Sequence, residues 1–229
     1  MEFFVIFIIV MVIFFVLKYV FGANLNKLKE ITQNEELNKI AEKYPENVEI
    51  CKTYLEMLKN EDVKIEEQQD ANTTMYFVMG NKIFIANLKN NFTRIQTLAH
   101  ECLHSIQSKK LLWFNFIFSN IFNIYFFVIC ILKFFNILPS SMMFLAILAI
   151  LGLVQYSVRM FLENDAMIKA KFLAKEYMEN QKISSKEEIN KMISKYDELN
   201  DVGIKCVNFQ IFSLIIFKVI IFGLIMFLR

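Results

Sequence analysis

Residues 97–107 read TLAHECLHSIQ. The 229-residue chain has two histidines, His100 and His104, and both lie here, four residues apart, with Glu101 beside the first. On a helix, residues four apart share a face, so two imidazole nitrogens can reach one metal ion. In the spacing H-E-x-x-H, zinc is held by the two histidines. The glutamate, one residue on, faces a water at the metal without being a ligand. Zinc lowers the pKa of such a water towards about 7, and Glu101 is then the expected general base as that water attacks a carbonyl. Two His and a Glu can meet this way by chance on an amphipathic helix, but no histidine lies anywhere else in this chain.

A catalytic zinc site needs a third protein ligand and an open position. No third His exists, and Cys102, two residues from each His, points off their face. A carboxylate remains. Residues 159–170 (RMFLENDAMIKA) follow an apolar block directly, and there Glu163 is followed at helical spacing by Ala166 and Ala170, small residues that let two helices approach. Asp165 is the nearest competitor and points elsewhere on a helix. Glu163 reads equally as an ordinary acid beside Arg159, and spacing alone does not choose. Tyr156, Arg159, Asn164 and Tyr177 are candidates to stabilise an oxyanion, again without a choice among them.

The elements that must carry these groups are unusually apolar. Hydrophobic residues make up 56% of the chain, which includes 25 Phe. Mean hydropathy is +0.41. That exceeds the usage of an ordinary soluble domain. The excess sits in blocks at 3–17, 111–132, 134–158 and 207–228, each about as long as the ~20 residues that cross a bilayer core. Four transmembrane helices are expected, at about 3–21, 111–133, 139–158 and 207–228, the third starting near Ser140 because of Pro139. The first block lacks a basic leader and reads as a retained anchor. Segments 23–110 and 159–206 hold 12 and 9 of the 25 Lys and Arg. Both are therefore expected in the cytoplasm, with Lys133 and Arg229 towards the other face. Lys218 lies within an apolar block, where it either snorkels or pairs within the bundle. Cys51, Cys102, Cys130 and Cys206 fit no metal or disulfide spacing and read as free thiols.

Between the spans, 25–70 shows helical apolar spacing broken near Pro45, and its mixed Lys and Glu read as a solvated face, so no nucleic-acid partner is expected. Residues 74–79 and 82–86 read as two strands turned at Gly80-Asn81. Asn90 or Asn91 can cap a helix running through His104, with Ile95, Leu98, Ala99 and Leu103 as its apolar face. A further helix runs from the third span through Glu163 to about Asn180. Ser184 or Ser185, each with Glu three residues on, marks a capping box for one more.

The stretch NTTMYFVMGNKIFIANLKNNFTRIQTLAHECLHSIQ resembles the core of integral-membrane zinc peptidases. It is most similar to the bacterial neutral zinc metallopeptidases (the YugP-like group) and more distantly to the HtpX-type membrane proteases. In those families a strand pair precedes the H-E-x-x-H helix, and a later E-x-x-A element supplies a glutamate ligand. ENDA at 163–166 is similar to that element, and Gln107 to the family continuation after the second histidine. The similarity covers about 75–110 and 160–170. It departs from the HtpX-type E-x-x-A-D pattern at Met167. It implies His100, His104 and Glu163 as ligands of one zinc ion and Glu101 as base.

The expectation is thus a mainly α polytopic membrane protein in one membrane-embedded domain, with a cytoplasmic gluzincin-like zinc-peptidase core containing a small β-hairpin. Its activity is expected to be zinc-dependent endopeptidase at the cell membrane, on a peptide or membrane-protein substrate, with no expectation about oligomeric state. The alternative is a non-catalytic membrane interaction protein retaining a zinc site. A transporter is disfavoured by the scarcity of charge within the spans.

Overall fold

The computed structural model describes residues 2–68, 73–87 and 91–228, with side chains from Phe7 to Phe227. The alternative cap Asn90 and the C-terminal Arg229 lie outside them. The protein is mainly helical: α1 (Glu2–Phe21), α2 (Leu25–Thr32), α3 (Glu35–Glu42), α4 (Asn47–Met57), β1 (Lys64–Glu67), β2 (Met75–Phe77), β3 (Lys82–Ile85), α5 (Thr93–Ile106), α6 (Lys109–Phe134), α7 (Ser141–Gln181) and α8 (Lys186–Leu228). The chain divides into two compact units, each discontinuous in sequence: Met1–Asn24, Phe114–Phe161 and Lys205–Arg229 form one, Leu25–Trp113 and Leu162–Ile204 the other.

The first unit is the apolar one. Among the described residues, α6, α7 and α8 are long and apolar enough to cross a membrane, and only 17–22% of the most apolar stretch of each is buried against protein. The remainder, such as Ile124, Phe127 and Ile150, needs a bilayer to cover it. The chain is a membrane protein on this ground. The expected fourth span is less clear-cut. Helix α1 qualifies only together with α2, from which it is bent by 54°. Gly22, at φ 63°, ends α1 in a left-handed turn, with Ala23 N–H bonded back to Lys18 O at 3.1 Å. The same device closes α6, where Asn136 takes φ 56° and Ile137 N–H reaches Leu132 O at 2.9 Å. The next helix starts at Ser141, after Pro139, near the expected Ser140.

Phe122, Phe126 and Ile129 of α6, Leu148 of α7, and Ile211, Ile215 and Phe222 of α8 form the core of this unit. Gly152 permits a close approach of α7 to α8: a Cβ there would lie 2.4 Å from Ile215 Cγ2. Lys218 does pair within the bundle. Its Nζ donates to Asn123 Oδ1 and sits 4.6 Å from the centre of the Phe122 ring.

The second unit is built around α5. Ile95, Leu98, Ala99 and Cys102, spaced three and four apart, are fully buried on one face. Helix α4 packs there through Ile50, Cys51, Tyr54 and Leu55, and Tyr54 Oη donates to Ile95 O at 3.0 Å. Arg94 is buried and donates to Ala41 O, Tyr44 O, Pro45 O and Asn47 Oδ1 at 2.7–2.9 Å. It thereby satisfies the open carbonyls where α3 ends and ties the Pro45 break to the start of α5. Asn91 caps α5, accepting Thr93 N–H on its side chain at 3.0 Å.

The sheet corrects the sequence reading in two ways. It has three strands, ordered β1-β3-β2, with β1 parallel and β2 antiparallel to β3. The extra strand, KIEE, lies in a segment read as wholly helical. It has one apolar residue in four because it is an exposed edge, where charge discourages further pairing. Strand β2 is also shorter than 74–79. Val78–Gly80 wind into a 3-10 turn and Asn81 takes φ 46°, so the connection is longer than a two-residue hairpin turn. Ser185 and Glu188 form the expected capping box, Ser185 N–H to Glu188 Oε2 at 2.9 Å and Glu188 N–H to Ser185 Oγ at 3.2 Å. From there α8 runs unbroken to Leu228, since neither Pro nor paired Gly interrupts it.

Candidate metal centre

All residues of this site belong to the second unit. His100 and His104 rise on one face of α5, their rings edge to face with centroids 4.6 Å apart and their Nε2 atoms 3.0 Å apart. From α7, Glu163 brings Oε2 to 3.5 Å from His100 Nε2 and 3.7 Å from His104 Nε2. The sequence favoured Glu163 over Asp165 but left Glu163 equally an ordinary acid beside Arg159, and the geometry brings it to the histidines. Glu163 joins the histidines, whereas Asp165 pairs with Lys169 at 2.6 Å and accepts from Gln107.

The three atoms could hold a metal ion. The side chains keep 12–27% exposure, so the group is not sealed and a further position stays reachable. Two imidazoles and one carboxylate make a three-donor set, one fewer than the four ligands of a closed structural zinc site. Burial alone would depress the His104 imidazolium, but Glu163 and Glu101 outweigh it and raise its pKa to about 8.

Glu101 stands apart from this triangle. It is 7% exposed, and its Oε2 accepts the backbone N–H of Tyr76 in β2 at 2.7 Å. Burial pushes its carboxyl pKa up, partly offset by His100, His104 and the Tyr76 N–H.

Two polar brackets hold α5 against α7 and α8. Gln107, at the C-terminal end of α5, donates through Nε2 to Leu162 O at 2.9 Å and Asp165 Oδ2 at 3.0 Å, while its Oε1 meets His104 Nδ1 at 2.9 Å. Gln96 donates to Asn200 Oδ1 at 2.5 Å, and Asn200 donates to Met167 O at 3.1 Å. Neither bracket was visible as a pairing in the sequence. Gln107 carried a partial signal, being three residues beyond His104 where the helix ends. Ala166 and Ala170 are fully buried.

Among the proposed oxyanion donors, Tyr177 is 1% exposed and packed against Tyr44 and Tyr54, which makes it part of the core. Asn164 has a buried Oδ1 without a hydrogen-bond partner. Tyr156 and Arg159 belong to the other unit. Cys102 is buried away from the histidines, its sulfur 3.4 Å from that of Cys51, and both are free thiols.

Fold and site together define a mainly helical membrane protein with one candidate metal centre, of two histidines and a glutamate, among its described residues. No family model, no curated protein and no solved structure matches the chain.

Proposed function

We propose that the chain is a membrane-bound zinc endopeptidase in which His100, His104 and Glu163 hold the ion and Glu101 is the general base. The observation that carries this reading is the 3.0–3.7 Å triangle of ligand atoms with a buried carboxylate one residue from its first corner. When bound, zinc would activate a water and polarise the scissile carbonyl. Glu101 accepts the proton of the attacking water and passes it to the leaving amine. Strand β2 lies at the edge of the sheet, and an extended peptide adding to that edge would present its carbonyls beside α5. The resemblance to the YugP-like peptidases supports the same assignment, including a gluzincin-like arrangement of the ligands. The charge distribution supports four spans with the site on the cytoplasmic side.

A second reading has one observation in its favour. The bond from Tyr76 N–H to Glu101 gives Glu101 a structural use, pinning β2 to α5, that a non-catalytic membrane protein with a retained metal site would also need. Purified protein should contain about one zinc per chain and cleave casein or itself, and a zinc chelator should abolish cleavage. Stoichiometric zinc without any hydrolysis, in wild type and Glu101→Gln alike, would favour the second reading.

A further inference from the structure

Gln107 occupies a position that the ligand set does not require. Its backbone leaves α5 in extended geometry, with its N–H still bonded to His104 O at 3.2 Å. That turn brings the side chain back over His104 and across to α7. Both partners of its Nε2, the Leu162 carbonyl and the Asp165 carboxylate, are oxygens that accept. The amide therefore has one workable orientation, with NH2 towards α7 and Oε1 towards His104. An oxygen 2.9 Å from His104 Nδ1 requires a proton on that nitrogen. In the neutral ring this leaves the lone pair on Nε2, the atom that faces His100 and Glu163.

We propose that Gln107, oriented by Asp165 and the Leu162 carbonyl, is a positioning residue that selects the metal-binding tautomer of His104 and sets the distance to Glu163. The proposal rests on the metal site proposed above. In many metal sites a carboxylate or carbonyl accepts directly from the ligand histidine. Here the carboxylate acts through an amide, and the same amide grips the main chain one residue before Glu163. One side chain thus couples the second ligand to the third, although they lie on separate helices. Asp165, rejected as a ligand by its position, has a role of its own.

The presence of only two histidines makes the test direct. Protein labelled with 15N-histidine in detergent gives two imidazole spin systems, and assignment follows from a His100→Gln control. At alkaline pH, where the ring is neutral, and without metal, His104 should carry its proton on Nδ1. In Gln107→Leu the Nε2–H form should become substantially populated, and Asp165→Ala should shift the population in the same direction but less, since Leu162 O still orients the amide. Zinc affinity, measured by competition with a chelating dye, should fall about 10–100-fold in Gln107→Leu. Unchanged elution volume and far-UV dichroism identify variants that remain folded, and Asp165→Ala retains the test if Gln107→Leu does not. An unchanged Nδ1–H tautomer in both folded variants overturns the proposal. Wild type with the Nδ1–H tautomer but no zinc binding refutes the metal reading itself, and zinc affinity equal to wild type in a folded Gln107→Leu refutes only the role of Gln107.

Discussion

The carboxylate of Glu101 accepts the main-chain N–H of Tyr76 at 2.7 Å, so the expected base of the reaction is also the group that fastens the edge strand to the helix of the histidines. The link also sets how a substitution at Glu101 has to be read, because losing the carboxylate altogether would free β2 as well as remove the base.

Glu101→Gln separates the two effects. The amide oxygen can still accept from Tyr76 and the volume is kept, so fold and zinc content should be close to wild type. The proton acceptor is lost, and hydrolysis should fall by about 10²–10⁴-fold. Glu101→Ala should also loosen β2, seen as faster amide exchange at residues 75–77. Wild-type turnover in Glu101→Gln would exclude Glu101 as the base.

Glu163→Ala leaves two imidazoles, and two ligands hold zinc far less well than three. Metal content after purification should drop to a small fraction of wild type, and hydrolysis with it. Asp165→Ala removes the partner of Lys169 and one of the two acceptors of the Gln107 amide, and should retain most of the zinc. The reverse ranking of the two variants, with both folded, would place the third ligand at Asp165.

Gly152→Ala puts a Cβ 2.4 Å from Ile215 Cγ2 of α8. Overpacking of this kind costs about 1–3 kcal/mol, which should appear as a lower unfolding temperature in detergent. Adding Ile215→Ala removes the clashing methyl, so the double variant should be more stable than the sum of the two single changes implies. Strict additivity would show that the helices do not meet here.

Orientation is open to a separate measurement. A reporter active only in the cytoplasm should work when fused at Lys64 and at Lys186, and should be silent at Pro139. Opposite results at the first two sites would rule out the four-span arrangement, because two spans lie between them.

The sequence alone determined what depends on composition and local period. Apolar blocks of spanning length, the helical spacing of Ile95, Leu98, Ala99 and Leu103, and the Ser185–Glu188 capping box are all short-range patterns; three of the four blocks, the buried face of α5 and the box have their counterparts in the structure. So is the pairing of His100 with His104, since four residues make one turn and nothing distant has to be known. What the sequence left open was everything that joins separate elements. Spacing left Glu163 equally an ordinary acid beside Arg159, and only the packing of α7 brings it to the histidines. Strand β1 carries almost no apolar signal, because its pairing comes from the main chain and its side chains face water. Gln107 is an ordinary polar residue until α7 supplies two acceptors for its amide. Local pattern reports which face of an element is apolar. Which polar atoms meet across elements is set by packing, and in this protein packing brought Glu163 to the histidines and Gln107 behind His104.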